Sequence, residues 1–81
     1  MATDPNTIKL ERGKKHRVYG AGVPTPCRIL CVSGSGEISY YTRTEVWRRA
    51  KLHAGQAATV IGGPIDVVAG EDGGEFVCAV L

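Results

Sequence analysis

Glycine cuts the apolar stretches of this sequence into pieces too short for a helix with a buried stripe. Eleven glycines fall among 81 residues, and the longest unbroken apolar run is the closing hexapeptide Phe76–Leu81. Apolar runs of about four to eight residues bounded by turn residues read as strands, whereas helices need about ten or more. The chain is therefore expected to be all-β, a small antiparallel β-sandwich or barrel of about six short strands.

The segments can be placed in order. Residues 1–6 are polar and contain Pro5, and read as a loose terminal arm. With the basic run Gly13-Lys14-Lys15-His16-Arg17, this makes residues 1–17 a basic, partly flexible N-terminal arm and 18–81 a single small β domain. Within the arm, Thr7–Leu10 is a candidate strand with Ile8 and Leu10 on one face. Gly20 to Pro26, with two glycines and two prolines, reads as a loop. Cys27–Ser33 is a strand, and Gly34-Ser35-Gly36 is expected to reverse it tightly into Glu37–Thr42 as a β-hairpin. Thr44–His53 admits either a short helical turn near 44–52, capped by Thr44 and stopped by Gly55, or a strand. In the strand, Val46, Ala50 and Leu52 share one face and Trp47, Arg49, Lys51 and His53 the other. The strand accommodates the apolar residues better, with Arg48 as the misfit. Thr59–Ile61, Ile65–Ala69 and Phe76–Leu81 then close a meander, with a turn expected over Gly70–Gly74.

The closing strand is apolar on both faces, Phe76, Cys78 and Val80 on one and Val77, Ala79 and Leu81 on the other. Antiparallel sheets commonly leave one face to water, so such a strand must be sandwiched or covered by another subunit. A chain this short buries only roughly 60% of its unfolded surface and needs a staple: disulfides, a metal or neighbouring subunits. Cys27 and Cys31, four apart on one strand face, would lie roughly 13 Å from each other, beyond disulfide reach. Either could meet Cys78, but buried reduced thiols are the simpler reading. Cys27, Cys31, Cys78, His16 and His53 lack the paired spacing of a zinc site, so no metal or other cofactor is expected. Neighbouring subunits remain. Val77, Ala79 and Leu81 become candidate interface residues, with Trp47, the only Trp, which is open to both core and interface readings.

No catalytic grouping stands out. His16 and His53 have no nucleophile and acid in a recognisable arrangement, and Gly34-Ser35-Gly36 is not followed by the Gly-Lys-Ser/Thr of a phosphate loop. The chain is expected not to be an enzyme. It also has no apolar run of membrane-spanning length, and no secretory leader or membrane partner is expected.

Charge is polarised. All ten Lys and Arg precede residue 52, against four acids, while residues 52–81 hold four acids and no Lys or Arg, giving +6 and −4. Lys14, Lys15, Arg17, Arg48 and Arg49 are candidate charged contacts. Copies could meet basic edge to acidic edge. Alternatively, the basic residues of 9–17 and 43–51, with Tyr40, Tyr41 and Trp47 as stacking faces, would suit a small nucleic-acid-binding β-barrel. The small net charge of +2 speaks against a dominant nucleic-acid field.

Several residues carry a family resemblance. They are the strand and glycine reversal from Arg28-Ile29-Leu30 to Gly36-Glu37-Ile38, the Leu52–Gln56 turn with its Ala-Gly-Gln, and Ile65–Gly70 leading into Phe76–Leu81. Over residues 27–81 the chain resembles the small all-β virion-associated proteins of tailed bacteriophages, among them head-decoration and spike-base modules. Gly70-Glu71-Asp72-Gly73 stands where that pattern has Gly-Thr-Thr-Ala. The resemblance implies a virion structural protein, folded in the host cytoplasm, acting by self-association into a homo-oligomer and docking on larger capsid, tail or spike proteins.

Overall fold

The computed structural model describes residues 7–81, and every regular element among them is a strand. β1 is Thr7–Leu10, β2 Lys15–Tyr19, β3 Thr25–Tyr41, β4 Trp47–His53, β5 Ala57–Gly62 and β6 Ile65–Val80. All pairings are antiparallel. The expected all-β fold of six strands is what forms. The strands are not uniformly short, however: β3 has 17 residues and β6 has 16.

β3 and β6 are the frame. They pair with each other from Cys27↔Val80 to Tyr40↔Ile65. Each then carries two further partners, one per half. β5 and β1 flank the half with the N-terminal part of β3 and the C-terminal part of β6, giving a first layer ordered β1-β6-β3-β5. β2 and β4 flank the other half, giving a second layer ordered β2-β6-β3-β4. Inward residues of both layers, Cys27, Ile29, Cys31 and Phe76 from the first and Ile38, Ile65 and Val67 from the second, are fully buried in one cluster. The molecule is a single sheet folded over itself into a sandwich.

The fold-over happens where a hairpin was expected, which corrects the reading of Gly34-Ser35-Gly36 as a reversal. The chain bends there but does not turn back. Gly34 adopts φ +72°, and the β3–β6 register slips between Cys31 and Ser33 and again between Gly34 and Gly36. Such bulges bend a paired strand and increase its twist without ending it. The turn expected at Gly70–Gly74 is corrected in the same way, because β6 runs through it and Gly34 pairs with Gly74. A Cβ on Gly34 would run into the Gly73 carbonyl, so both bends can nest only as glycine. Phe76 fills the inside of the bend: a Cβ on Gly36 would lie 2.5 Å from its ring, and one on Gly74 2.7 Å.

The remaining expectations divide. Residues 47–53 form a strand with Ala50 and Leu52 on the inner side; no helical turn forms near 44–52, and Thr42–Val46 is a tight turn closed by Thr42 N–H to Val46 O at 3.0 Å. The Leu52–Gln56 turn is present, with Gly55 at φ +87°. The division into an arm (1–17) and a domain (18–81) does not follow the sheet. Thr7–Leu10 and Lys15–Arg17 are paired to β6, so the described part of that arm belongs to the sandwich. Residues 1–6, read as a loose arm, lie outside the described residues. In the closing strand Phe76 is buried, whereas Val80 and Leu81 at its end are 54% and 65% exposed, so its outer face stays uncovered.

Packing of Phe76 against bare glycine backbone yields a test. Gly36→Ala should destabilise the chain by about 1–3 kcal/mol through overpacking, and that cost should shrink in a Phe76→Leu background. Urea unfolding of the double-mutant cycle measures the coupling, and strictly additive costs would show that ring and glycine do not meet.

Candidate functional site

A filled interior moves the search to the outside. The core side chains are aliphatic, aromatic or thiol, and among the described residues no group of three His, Cys, Asp or Glu is placed to hold a metal ion. His53 is exposed, and His16 is half-buried on β2, away from any such group. Two open troughs lie on the surface, one of about 550 Å³ at the double bend and one of about 520 Å³ on the second layer.

The outer face of the first layer is apolar along its middle. Register places Thr7, Val77, Leu30 and Ala57 in one row across all four strands. Ala79 and Arg28 lie in the next row, with Ile61 and Leu81 towards the same end. Val77 and Leu30 are half-buried, Ala57 and Ala79 are exposed, and Ile61 is 55% exposed. The alternation that turns Ile29 and Cys31 inward necessarily turns Leu30 outward. Of the residues expected at an interface, Val77, Ala79 and Leu81 therefore gather here. Trp47 does not; it lies on the second layer. Leu30, Ala57 and Ile61 were missed, although their alternation with buried neighbours was the available signal.

The outer face of the second layer is charged. One row reads Arg17, Asp66, Ser39, Arg49, and the next Lys15, Val68, Glu37, Lys51. Lys15–Arg17 and Arg48–Lys51, distant in sequence, thus fall on the two edge strands of one layer, with carboxylates on the central strands. Arg17 Nε donates to Asp66 Oδ1 at 2.9 Å and Nη2 to Oδ2 at 3.4 Å, while Arg49 Nε stands 3.6 Å from Glu37 Oε1. The Asp66 side chain is only 6% exposed, covered by the guanidinium. Its hydrogen bond and charge hold the Arg17 guanidinium protonated, raising its pKa. At the end of this face Tyr41 and a half-exposed Trp47 pack with ring centroids 5.4 Å apart and planes tilted by 58°. Lys14 and Arg48 are exposed at its margins; Arg48, on the inner side of β4, reaches water past the end of the core.

The three cysteines are free and lie on the inner side of the first layer. Burial pushes the Cys27 and Cys31 thiols above their usual range. Cys78 is pushed up to about 11, first by burial and then by the nearby Cys27. These thiols stay protonated at neutral pH and make poor nucleophiles or metal ligands.

No protein-family profile matches this sequence, and no curated protein matches it significantly; the likeness is one of structure. The Drosophila melanogaster CENP-C cupin domain superposes with a TM-score of 0.72 at 14% identity, over 93% of this chain and 58% of that one. The W96Y oxalate decarboxylase of Bacillus subtilis gives 0.74 at 16% identity, over 91% of this chain and 19% of that one. A conserved Streptococcus pyogenes protein of unknown function gives 0.66 at 16%, over 93% and 60%. The fold is thus a cupin-like β-sandwich, and the chain spans about three-fifths or less of these proteins.

Two outcomes follow from this geometry. Arg17→Ala removes both side-chain hydrogen bonds to Asp66 and should lower the urea midpoint clearly more than Arg49→Ala, whose pair is exposed and longer; equal shifts would contradict the special place of Asp66. A thiol whose pKa is raised by folding keeps its proton in the folded chain at pH values where the unfolded chain has lost it, so stability falls as pH rises. Stability should be full below about pH 8.5 and decline towards pH 11, with a shallower decline in Cys78→Ala. An identical decline in both proteins would rule out Cys78 as a cause.

Proposed function

We propose that this chain is a non-catalytic structural protein that associates with copies of itself through the outer face of the first layer. The observation that carries the reading is the apolar row Val77–Leu30–Ala57 with Ala79, Ile61 and Leu81 beside it. Contiguous apolar surface on the water side of an antiparallel sheet marks a contact site. Burying it against a second copy gains about 25 cal/mol per Å² of apolar surface, and Arg28, exposed in the adjoining row, is the charge such a contact must accommodate. The described core of aliphatic, aromatic and thiol side chains fits a structural role. The setting implied by the resemblance of residues 27–81 is the virion of a tailed phage. There a homo-oligomer of this module would dock on capsid, tail or spike proteins after folding in the host cytoplasm. Repeated surfaces of this kind suit assembly by symmetric, self-complementary contacts.

Light scattering tests the reading. The wild-type chain should form an oligomer that persists at high salt, since apolar contacts are not screened. Ile61→Asp with Ala79→Asp, both at exposed positions, should give a folded monomer by mass and circular dichroism. A wild-type chain that stays monomeric at high concentration overturns the proposal.

A further inference from the structure

The second layer carries a different surface, and we infer that its outer face, centred on β4, binds single-stranded nucleic acid. Trp47, Arg49, Lys51 and His53 alternate outward along this one edge strand, at about 6.6 Å intervals. The stripe thus presents an aromatic ring followed by three basic side chains in a line, on an edge with no further strand beside it among the described residues. Single strands are held in this manner, by cations tracking the backbone and a ring on which a base stacks.

The charges are arranged to leave cations free. Among the described residues the side-chain ion pairs are Arg17–Asp66 and Arg49–Glu37, so both carboxylates at the centre of the face are already engaged by arginines. Lys15 and Lys51, at the two ends of the row through Glu37, have no such partner, and Lys14 is exposed next to Lys15, while Arg43 lies with Glu45 in the turn beyond Trp47. Glu71 lines the trough beside Lys51 and His53, so Lys15, Arg17, Arg49 and Lys51 stand against Asp66, Glu37 and Glu71, and the face keeps a small cationic excess. Trp47 is 50% exposed, and its contact with Tyr41 sets its orientation while leaving ring surface to water. An acidic protein segment would be attracted by the same cations but would leave the exposed ring without a planar partner.

Trp47 is the only tryptophan, so its fluorescence reports the site directly. The test is titration of the full chain with a single-stranded oligodeoxythymidylate at low ionic strength, followed by fluorescence and by anisotropy of a labelled strand. Binding that quenches Trp47 is expected, weakening as salt rises. Lys15→Gln with Lys51→Gln should reduce the slope of log affinity against log salt by about 1.4, at about 0.7 per lost phosphate contact. Trp47→Ala should weaken binding about 5- to 150-fold while the salt slope stays the same, the 1–3 kcal/mol of one stacked base. Ile61→Asp with Ala79→Asp, on the other layer, should bind as the wild type does, which separates this inference from self-association. No binding at low salt overturns it. So does binding without quenching that inorganic polyphosphate displaces equally well, because that is charge capture without stacking, and so does selective binding of an acidic peptide.

Discussion

Everything in this molecule hangs on two long strands bending together. β3 and β6 stay paired from one end to the other, and the bend falls where Gly34 faces Gly74. Backbone approaches backbone there so closely that side chains have no room, and the space inside the bend is taken by one ring, Phe76. The glycines weaken the ladder locally, since they lose the most conformational freedom and bring no side chain to pack. The buried ring offsets that cost by covering their backbone, much as aromatic side chains rescue glycine in other sheets. A single paired ribbon thereby supplies the central two strands of both layers, and the four short strands need only add to its edges.

Once the ribbon is folded over, the rest follows from alternation. Every second side chain of each layer goes inward, and the inward set is almost wholly aliphatic, aromatic or thiol. The two outsides differ because the sequence is polarised: the basic segments end up on β2 and β4 around the second layer, while the apolar outer positions of β3, β5 and β6 line the first. The division of labour proposed above, self-association on one layer and single-stranded nucleic acid on the other, is a reading of that asymmetry.

Much of this was legible in the sequence. Short β-prone runs gave the all-β class, and Ala50 and Leu52 on one face decided β4 as a strand against a helical turn. What failed was the meaning of two glycine clusters. Gly34-Ser35-Gly36 and Gly70–Gly74 carry the signal of a reversal, but a positive φ serves a bulge as well as a turn. Which of the two forms depends on what lies across the strand, and the partner of each cluster is the other, some forty residues away. Local propensity cannot see that. The same blindness put Trp47 with Val77, Ala79 and Leu81, which belong to different layers, and hid the burial of Asp66, which arises only because β2 places Arg17 beside it. The basic segments were recognised as candidates, but their meeting on one layer is a property of topology.

Cross-strand nuclear Overhauser effects in the folded protein would test the central claim most directly. Continuous pairing of β3 with β6 requires contacts between Ile29 and Cys78 on one side of the bend and between Ile38 and Val67 on the other. Both sets are expected together, in one species. Contacts instead between Cys27–Ser33 and Glu37–Thr42 would mean that the chain reverses at Gly34-Ser35-Gly36. The two layers, and with them both proposed surfaces, would then not exist.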